Sequence, residues 1–313
     1  MAFVYLLSAE DRDLELARAE LWAMTGCEAE GLVGVSRTAC DISRAAYTAA
    51  CGELLAEADG LDELCRATAR LGLEEDQFRV EVRDLPPRSG IPQKDVARSI
   101  ADAIEGYPNL DRPRVRFLAL GSQGHWRLLR LVSTIRRDWL QHSKRPRNLS
   151  IALSAQHSRA LVNLVAAPGD LLWDPLCGVG TVLIQAASMG VRPIGSDSNG
   201  RHVQYAKENL AHFGFEPRVM QADARQVSLG RRVDAMVLDF PYGHASHVEE
   251  GLYAEALNNL APQALRIAVI VSRPAERLFE GLGLAVLRRA VVSKHRLARH
   301  FYILSAVDGG QTR

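Results

Sequence analysis

DPLCGVGT, residues 174–181, follows the apolar run LLW and leads into VLIQAASMG, whose apolar residues recur at helical spacing. A strand ending in an acid, a turn with two glycines and then a helix is the order of groups found in a ligand-binding βα unit. Gly178 and Gly180 lack a Cβ, so the backbone can approach a ligand there and turn its amides outward. The helix N-terminus that follows adds a partial positive charge.

Working outward, strand and helix signals alternate through the second half of the chain. SAQHSRALVNLVA predicts a helix, LLWDP a strand, GTVLIQAASMG a helix, RPIGSD a strand, RHVQYAKENLAHFG a helix, and RVMQAD and VDAMVLD strands. LYAEALNNLAPQAL predicts a helix and RIAVIVS a strand, with two closing strands near LAVLRRAVV and HFYILSAV. Such alternation makes an α/β fold: a mostly parallel, doubly covered sheet with ligands at the carboxyl ends of its strands.

Two acids give the glycine loop its meaning. Asp197 closes the strand after the loop, and Asp223 the strand after that. A carboxylate at the second strand end suits the two hydroxyls of a ribose, and one at the third suits the amino group of an adenine. Either acid alone reads as a turn or helix-cap residue, but the ordered set outlines an adenosine-bearing ligand across three strand ends. A nicotinamide cofactor fits less well, because its Gly-x-Gly-x-x-Gly fingerprint requires glycine where Leu183 stands. Asp174, just ahead of the loop, suits orienting it and meeting the amino end of a methionyl group.

A second stretch, VLDFPYG at 237–243, ends a buried strand in an acid, an aromatic, a proline, a tyrosine and a glycine. Asp239 and the Phe240 carbonyl can each accept an N–H from an exocyclic amine, while Pro241 fixes φ and stiffens the turn. Tyr242 offers a face on which a base can stack. His244 and His247 in GHASH lack a third metal ligand nearby, so the expectation is a loop over the site and no metal.

The 313 residues suffice for two domains and hold no apolar segment long enough to span a membrane. MAFVYLLSAEDRDLE lacks the basic start and apolar core of a signal peptide, which points to the cytoplasm. Five scattered cysteines without a Cys-x-x-Cys pair indicate reduced thiols rather than disulfides or a zinc site.

A net charge of +1 conceals an asymmetry. Residues 1–80 hold 7 Arg against 16 Asp or Glu, whereas residues 127–147 hold seven Lys or Arg against one Asp. Arg127, Arg130, Arg136, Arg137, Lys144, Arg145 and Arg147 form this stripe, beside Trp126 and Trp139. Residues 288–300 add five more, including Lys294 and Arg296. Each cluster by itself also matches an ordinary solvated face, but clustered basicity is what a phosphate-tracking groove needs.

The first half is less regular. FVYLLS predicts a strand, and EDRDLELARAELWAMTG an amphipathic helix capped at Gly26. EAEGLVGVS and RTACDIS are expected to pair as strands, and RAAYTAACGELLAEA is ambiguous. QFRVEVRDL, PQKDVARSIADAIEG and RVRFLALGS predict strand, helix and strand, so residues 1–140 read as two small α+β modules. The basic QHSKRPRNLS at 141–150 reads as a linker.

With these motifs in hand, the chain resembles the class I S-adenosylmethionine-dependent methyltransferases. DPLCGVGT, GSDSN, QADA and DFPYG fall in that family's motif order, the last resembling the Asp/Asn-Pro-Pro-Tyr signature of enzymes acting on exocyclic nucleobase amines. ALVNLVAAPGDLLWDPLCGVGT, DFPYG and SKHRLARHFYIL are similar to archaeal THUMP-domain tRNA guanosine N2-methyltransferases, above all those acting at position 10. Asp239 is followed by Phe240 where that family has proline.

The resemblance implies a Rossmann-like methyltransferase domain with a seven-stranded, mostly parallel sheet at 151–313. A ferredoxin-like module at 1–72, a THUMP RNA-binding module at 73–140 and the linker precede it. It implies S-adenosylmethionine held by Asp174, Pro175, Cys177, Gly178, Gly180, Thr181, Asp197, Ser198, Asp223 and Ala224. Asp239, Phe240, Pro241 and Tyr242 would carry catalysis, with tRNA gripped by the basic residues above. The alternatives are N2-methylation at another tRNA position such as 6, and adenine N6-methylation of RNA or DNA. A monomer is expected, and some relatives use a small activator protein.

If the basic clusters track phosphates, tRNA affinity falls by roughly 10³-fold between about 50 and 200 mM salt, as neutralising about six phosphates requires. Filter binding at graded salt measures the slope, and a flat response would exclude the reading.

Overall fold

In the computed structural model, residues 1–85, 90–240, 248–294 and 297–306 are described. Their contacts divide the chain into two units, and the division is not end to end. Residues 1–7, 27–43 and 48–135 form the first, and residues 8–26, 44–47 and 136–313 the second.

In chain order, β1 (Phe3–Leu7) precedes α1 (Leu14–Thr25), β2 (Ala29–Glu30), β3 (Val33–Ser36), β4 (Thr48–Asp59) and α2 (Leu61–Arg70). Then come β5 (Phe78–Leu85), α3 (Gln93–Ala101), β6 (Val115–Ser122) and β7 (His125–Thr134). A 3-10 segment, Asp138–Lys144, leads to α4 (Ala155–Val165), β8 (Leu171–Asp174), α5 (Thr181–Ser188), β9 (Arg192–Asp197) and α6 (Gly200–His212). The remainder is β10 (Val219–Gln221), β11 (Val233–Asp239), α7 (Val248–Leu260), β12 (Ala264–Val271), α8 (Glu276–Gly281), β13 (Leu284–Lys294) and β14 (Leu297–Ala306).

The first unit is one sheet of seven strands among the described residues, in the order β2-β3-β1-β4-β7-β6-β5. Strands expected in two separate modules therefore hydrogen-bond side by side: β4 runs antiparallel to both β1 and β7. The ambiguous stretch 44–58 resolves as β4 from Thr48 on, because partners on both sides satisfy its backbone. RTACDIS forms no strand, and β3 pairs instead with β2 across the turn at Gly31. Phe78, Val80, Val82 and Phe117 bury one face of the sheet against Val96 and Ile100 of α3 and Leu64 of α2.

The second unit carries the expected mostly parallel sheet, ordered β10-β9-β8-β11-β12-β14-β13. Strands β10, β9, β8, β11 and β12 run parallel, while β14 is antiparallel to β12 and to β13. Val233, Ala235, Met236, Val237 and Leu238 are all buried, the continuous apolar run that a sheet covered on both faces demands. The chain winds outward from β8 to β10 and then returns to the other side of β8 as β11. This reversal opens a crevice between the ends of β8 and β11.

Helix α1 belongs to this second unit, packing on α4 and β13, and ends at Gly26 in the left-handed conformation with φ 70°. Its Glu20 is fully buried. One carboxylate oxygen accepts the Ala46 N–H at 2.7 Å and the Asn163 amide at 2.6 Å; the other accepts the Tyr47 N–H at 2.8 Å. Burial pushes the Glu20 carboxyl up, while the Asn163 amide and the two backbone donors pull it down. One side chain thus ties α1 and residues 44–47 to α4.

Residues 141–150 are no free tether, because His142 is buried and bonds Gln185 of α5 at 3.1 Å. No helix among the described residues is long and apolar enough to cross a membrane.

Replacing Glu20 by Ala strips three buried donors of their acceptor, at a cost of about 3–5 kcal/mol. The unfolding midpoint of this unit in urea should fall with its slope unchanged; an unaltered midpoint would show that the clamp does not stabilise it.

Candidate functional site

At the end of β8 the chain must leave a crowded sheet and enter α5 within a few residues. Gly178 and Gly180 make the turn at φ 52° and φ 81°, where side chains are strained. A Cβ on Gly180 would meet the Ala206 Cβ at 3.1 Å, so this glycine also permits the close approach of α6. The Gly178 N–H donates to Asp197 Oδ2 at 2.9 Å, tying the loop to the end of β9. Asp197 Oδ1 accepts the Asn199 N–H at 2.8 Å and lies 3.4 Å from His202 Nδ1.

A cavity of about 370 Å³ opens here, lined by Asp174, Cys177, Gly178, Thr181, Asp197, Ser198, Asp239 and Phe240. Sequence reasoning had singled out all of these. It had not singled out the apolar wall Leu149, Ile151, Ala152 and Leu153, nor His202. The 149–153 segment has no periodicity to announce it and begins inside the run 141–150 that reads as linker. His202 was legible only as one position on an amphipathic helix.

Asp174 is 2% exposed, and its Oδ1 accepts the Leu176 N–H at 3.2 Å. Burial drives its carboxyl well above the ordinary range; the Leu176 N–H pulls down, and the neighbouring Asp239 and Asp197 charges push up. Burial raises the Asp239 carboxyl to about 7, against the pull of Arg299 on β14. Arg299 itself is held below its usual range by burial, partly offset by Asp239. Asp239 Oδ1 is shielded and has no hydrogen-bond partner among the described residues. A crevice with three carboxylates and one orphan acceptor suits a cationic, N–H-bearing ligand.

Phe240 is 1% exposed, and its ring lies 4.4 Å from that of Tyr253. Its N–H donates to the Ile270 carbonyl at 3.2 Å, extending the β11–β12 ladder by a bond that a proline could not make. Pro241 and Tyr242, with His244 and His247, lie outside the described residues, as does Arg296; the same holds for the side chain of Lys294.

Some expected ligand contacts are not brought together. Asp223 does not line the cavity; Arg225 engages its carboxylate at 2.6 Å and holds it below the usual carboxylate range. Pro175 and Ala224 are buried and, like Gly180, stand outside the lining.

The basic stripe is divided between the two units. In the first, Arg127 lies 3.4 Å from Glu57, and Arg130 pairs with Glu75 at 2.6 Å. In the second, Arg136 pairs with Asp138 and Arg147 with Glu208, while Arg137 and Lys144 are exposed. Arg145 corrects the expectation of a surface contact: it is buried and donates to Asn148. In the 288–300 cluster, Arg288 lies over the Trp22 ring and the exposed Arg289 pairs with Glu276.

Residues 142–290 match the UPF0020 family, described as RMKL-like, methyltransferase domain. A tRNA (guanine(10)-N2)-dimethyltransferase of Methanothermobacter thermautotrophicus is 31% identical over 231 residues, 69% of this chain and 68% of that protein. The chain belongs to the tRNA (guanine(10)-N2)-dimethyltransferase family. Another member, from Pyrococcus abyssi, is 33% identical over 180 residues, about half of each chain at 54%. The crystal structure of TrmN from Thermus thermophilus superposes with a TM-score of 0.50 over 98% of this chain and 100% of that one, at 20% identity, a likeness of fold.

The raised Asp239 carboxyl makes a stability prediction. An unfolded Asp loses its proton near pH 4, whereas the folded one keeps it to about 7. Between those values the folded state binds the extra proton, so stability falls as pH rises, and above 7 the full cost is present. The Tm of Asp239→Asn relative to wild type should therefore climb between pH 5 and 8. A pH-independent difference would contradict the raised carboxyl.

Proposed function

We propose that this chain transfers a methyl group from S-adenosylmethionine to the exocyclic N2 of a guanosine in tRNA, with position 10 favoured. The observation that carries the reading is the orphan Asp239 Oδ1 at the end of β11, in a cavity shared with Asp174 and the glycine loop. S-adenosylmethionine, when bound, supplies an electrophilic methyl group on a sulfonium centre. Its positive charge and its ammonium suit a crevice whose carboxylates otherwise repel one another.

An exocyclic guanine amine is a poor nucleophile because its lone pair is delocalised into the ring. Asp239, as carboxylate, accepts one N–H of that amine, and the Phe240 carbonyl accepts the other. Together they draw the lone pair back toward nitrogen. Lining up two bound substrates can lower the barrier by roughly 7–11 kcal/mol. The Phe240 ring is committed to Tyr253, so it anchors the strand end and leaves stacking on the base to Tyr242. A base paired in a stem must be flipped out, at a cost of a few kcal/mol.

Asp197 serves the ribose hydroxyls with the lone pairs that Gly178 and Asn199 leave over. Asp223 reaches an adenine amine only after parting from Arg225. The first half, read as ferredoxin-like and THUMP modules, would hold the tRNA body.

Unmodified tRNA transcripts incubated with labelled S-adenosylmethionine, then digested and analysed as nucleosides, test the proposal. N2-methylated guanosine at position 10, with one methyl or two, is the expected product. Methyladenosine would overturn it in favour of an adenine N6-methyltransferase, and absence of turnover would refute both. Asp239→Ala should lower turnover by at least 10²-fold while cofactor binding persists; full activity in this variant would sink the mechanism.

A further inference from the structure

Arg201, Tyr205 and Asn209 are spaced four residues apart on α6 and so form one stripe along the helix. At its outer end Arg201 is exposed; at its inner end Asn209 is fully buried. Arg147, from the segment before α4, joins the same stripe. Its guanidinium and that of Arg201 each lie 5.3 Å from the centre of the Tyr205 ring.

The two arginines are held in the same way. Arg201 donates through Nε to the Tyr205 hydroxyl at 2.7 Å, and Arg147 donates through Nε to Glu208 at 2.6 Å. In both, the two terminal amino groups make no hydrogen bond among the described residues, and Arg201 makes no ion pair among them. Two like charges are thus gathered on one ring with a single acid between them, each with its fork unused. A guanidinium fork is the donor geometry that matches a phosphate.

The cluster is also in register with the cavity. Asn209 accepts the Arg147 N–H at 2.9 Å, donates to the Arg147 carbonyl at 2.9 Å and donates to the Val179 carbonyl at 2.8 Å. Val179 belongs to the glycine loop and lines the cavity, as do Leu149, Asn199 and His202 beside the two arginines in sequence. One buried amide therefore fixes Arg147 relative to the loop.

We propose that Arg147 and Arg201, gathered around Tyr205, bind backbone phosphates of the RNA strand beside the target nucleotide, with Asn209 as the positioning residue. This rests on the tRNA reading above, keeps Arg147 from the basic stripe and adds Arg201, Tyr205 and Asn209 to it. Guanidinium planes held on an aromatic ring are a surface on which unpaired RNA stacks.

The test is steady-state methylation of tRNA by Arg147→Ala/Arg201→Ala at several salt concentrations, with cofactor affinity measured separately. The KM for tRNA should rise about ten-fold near 0.15 M salt and its logarithmic salt slope should flatten by about two, with the effect on KM rather than kcat. Arg147→Lys/Arg201→Lys should recover the slope but only part of the affinity, because an ammonium lacks the fork. An unchanged KM and slope would overturn the proposal, as would weakened cofactor binding with the slope intact, since that marks a purely structural role. If wild type methylates no tRNA, the function reading fails. Direct binding of a tRNA transcript then judges the cluster, and equal affinities for wild type and the double variant would refute it.

Discussion

The organising constraint of the second unit is the reversal of strand order between β8 and β11. Because these parallel strands are neighbours, each delivers its terminal acid to the same crevice: Asp174 from β8 and Asp239 from β11. Neither carboxylate is well solvated: burial raises both, and the Asp239 and Asp197 charges push Asp174 further up. Such a site is unfavourable when empty and favourable around a cationic, N–H-rich ligand. Arg299, on the antiparallel strand β14, keeps Asp239 from drifting further from the ionised state.

Rigid attachments hold this crevice in shape. Asp197 ties the glycine loop to β9, the Phe240 N–H prolongs the ladder to β12, and Asn209 connects the same loop to Arg147. Farther from the cavity, Glu20 fastens α1 to α4 through buried donors. Each attachment satisfies polar groups that burial would otherwise penalise, so removing one leaves others unpaired.

Phe240 illustrates how one substitution is absorbed. The Asp/Asn-Pro-Pro-Tyr signature that DFPYG resembles has proline there, and phenylalanine in its place supplies a backbone hydrogen bond and a ring packed on Tyr253. The aromatic side chain goes into the core with Tyr253, so the strand end is anchored twice. Asp239 therefore sits on a strand end held by pairing and by packing.

By itself, the sequence determined the elements and much of the lining. Period-two and period-3.6 patterns are local, so β8, α5, β9, α6 and β11 could be read from them, as could Gly178, Asp197 and Asp239 at strand ends. Only the tertiary structure decided which residues spend their charge at home. Arg145, Arg289 and Arg299 look alike as basic residues in the sequence, yet Arg145 is buried against Asn148, Arg289 pairs with Glu276, and Arg299 is set by burial and by Asp239, sixty residues away. It also decided that α1, at the other end of the chain from β13, packs on that strand. Side-chain partners and the pairing of β4 with β7 depend on contacts far apart in sequence, which no local period encodes.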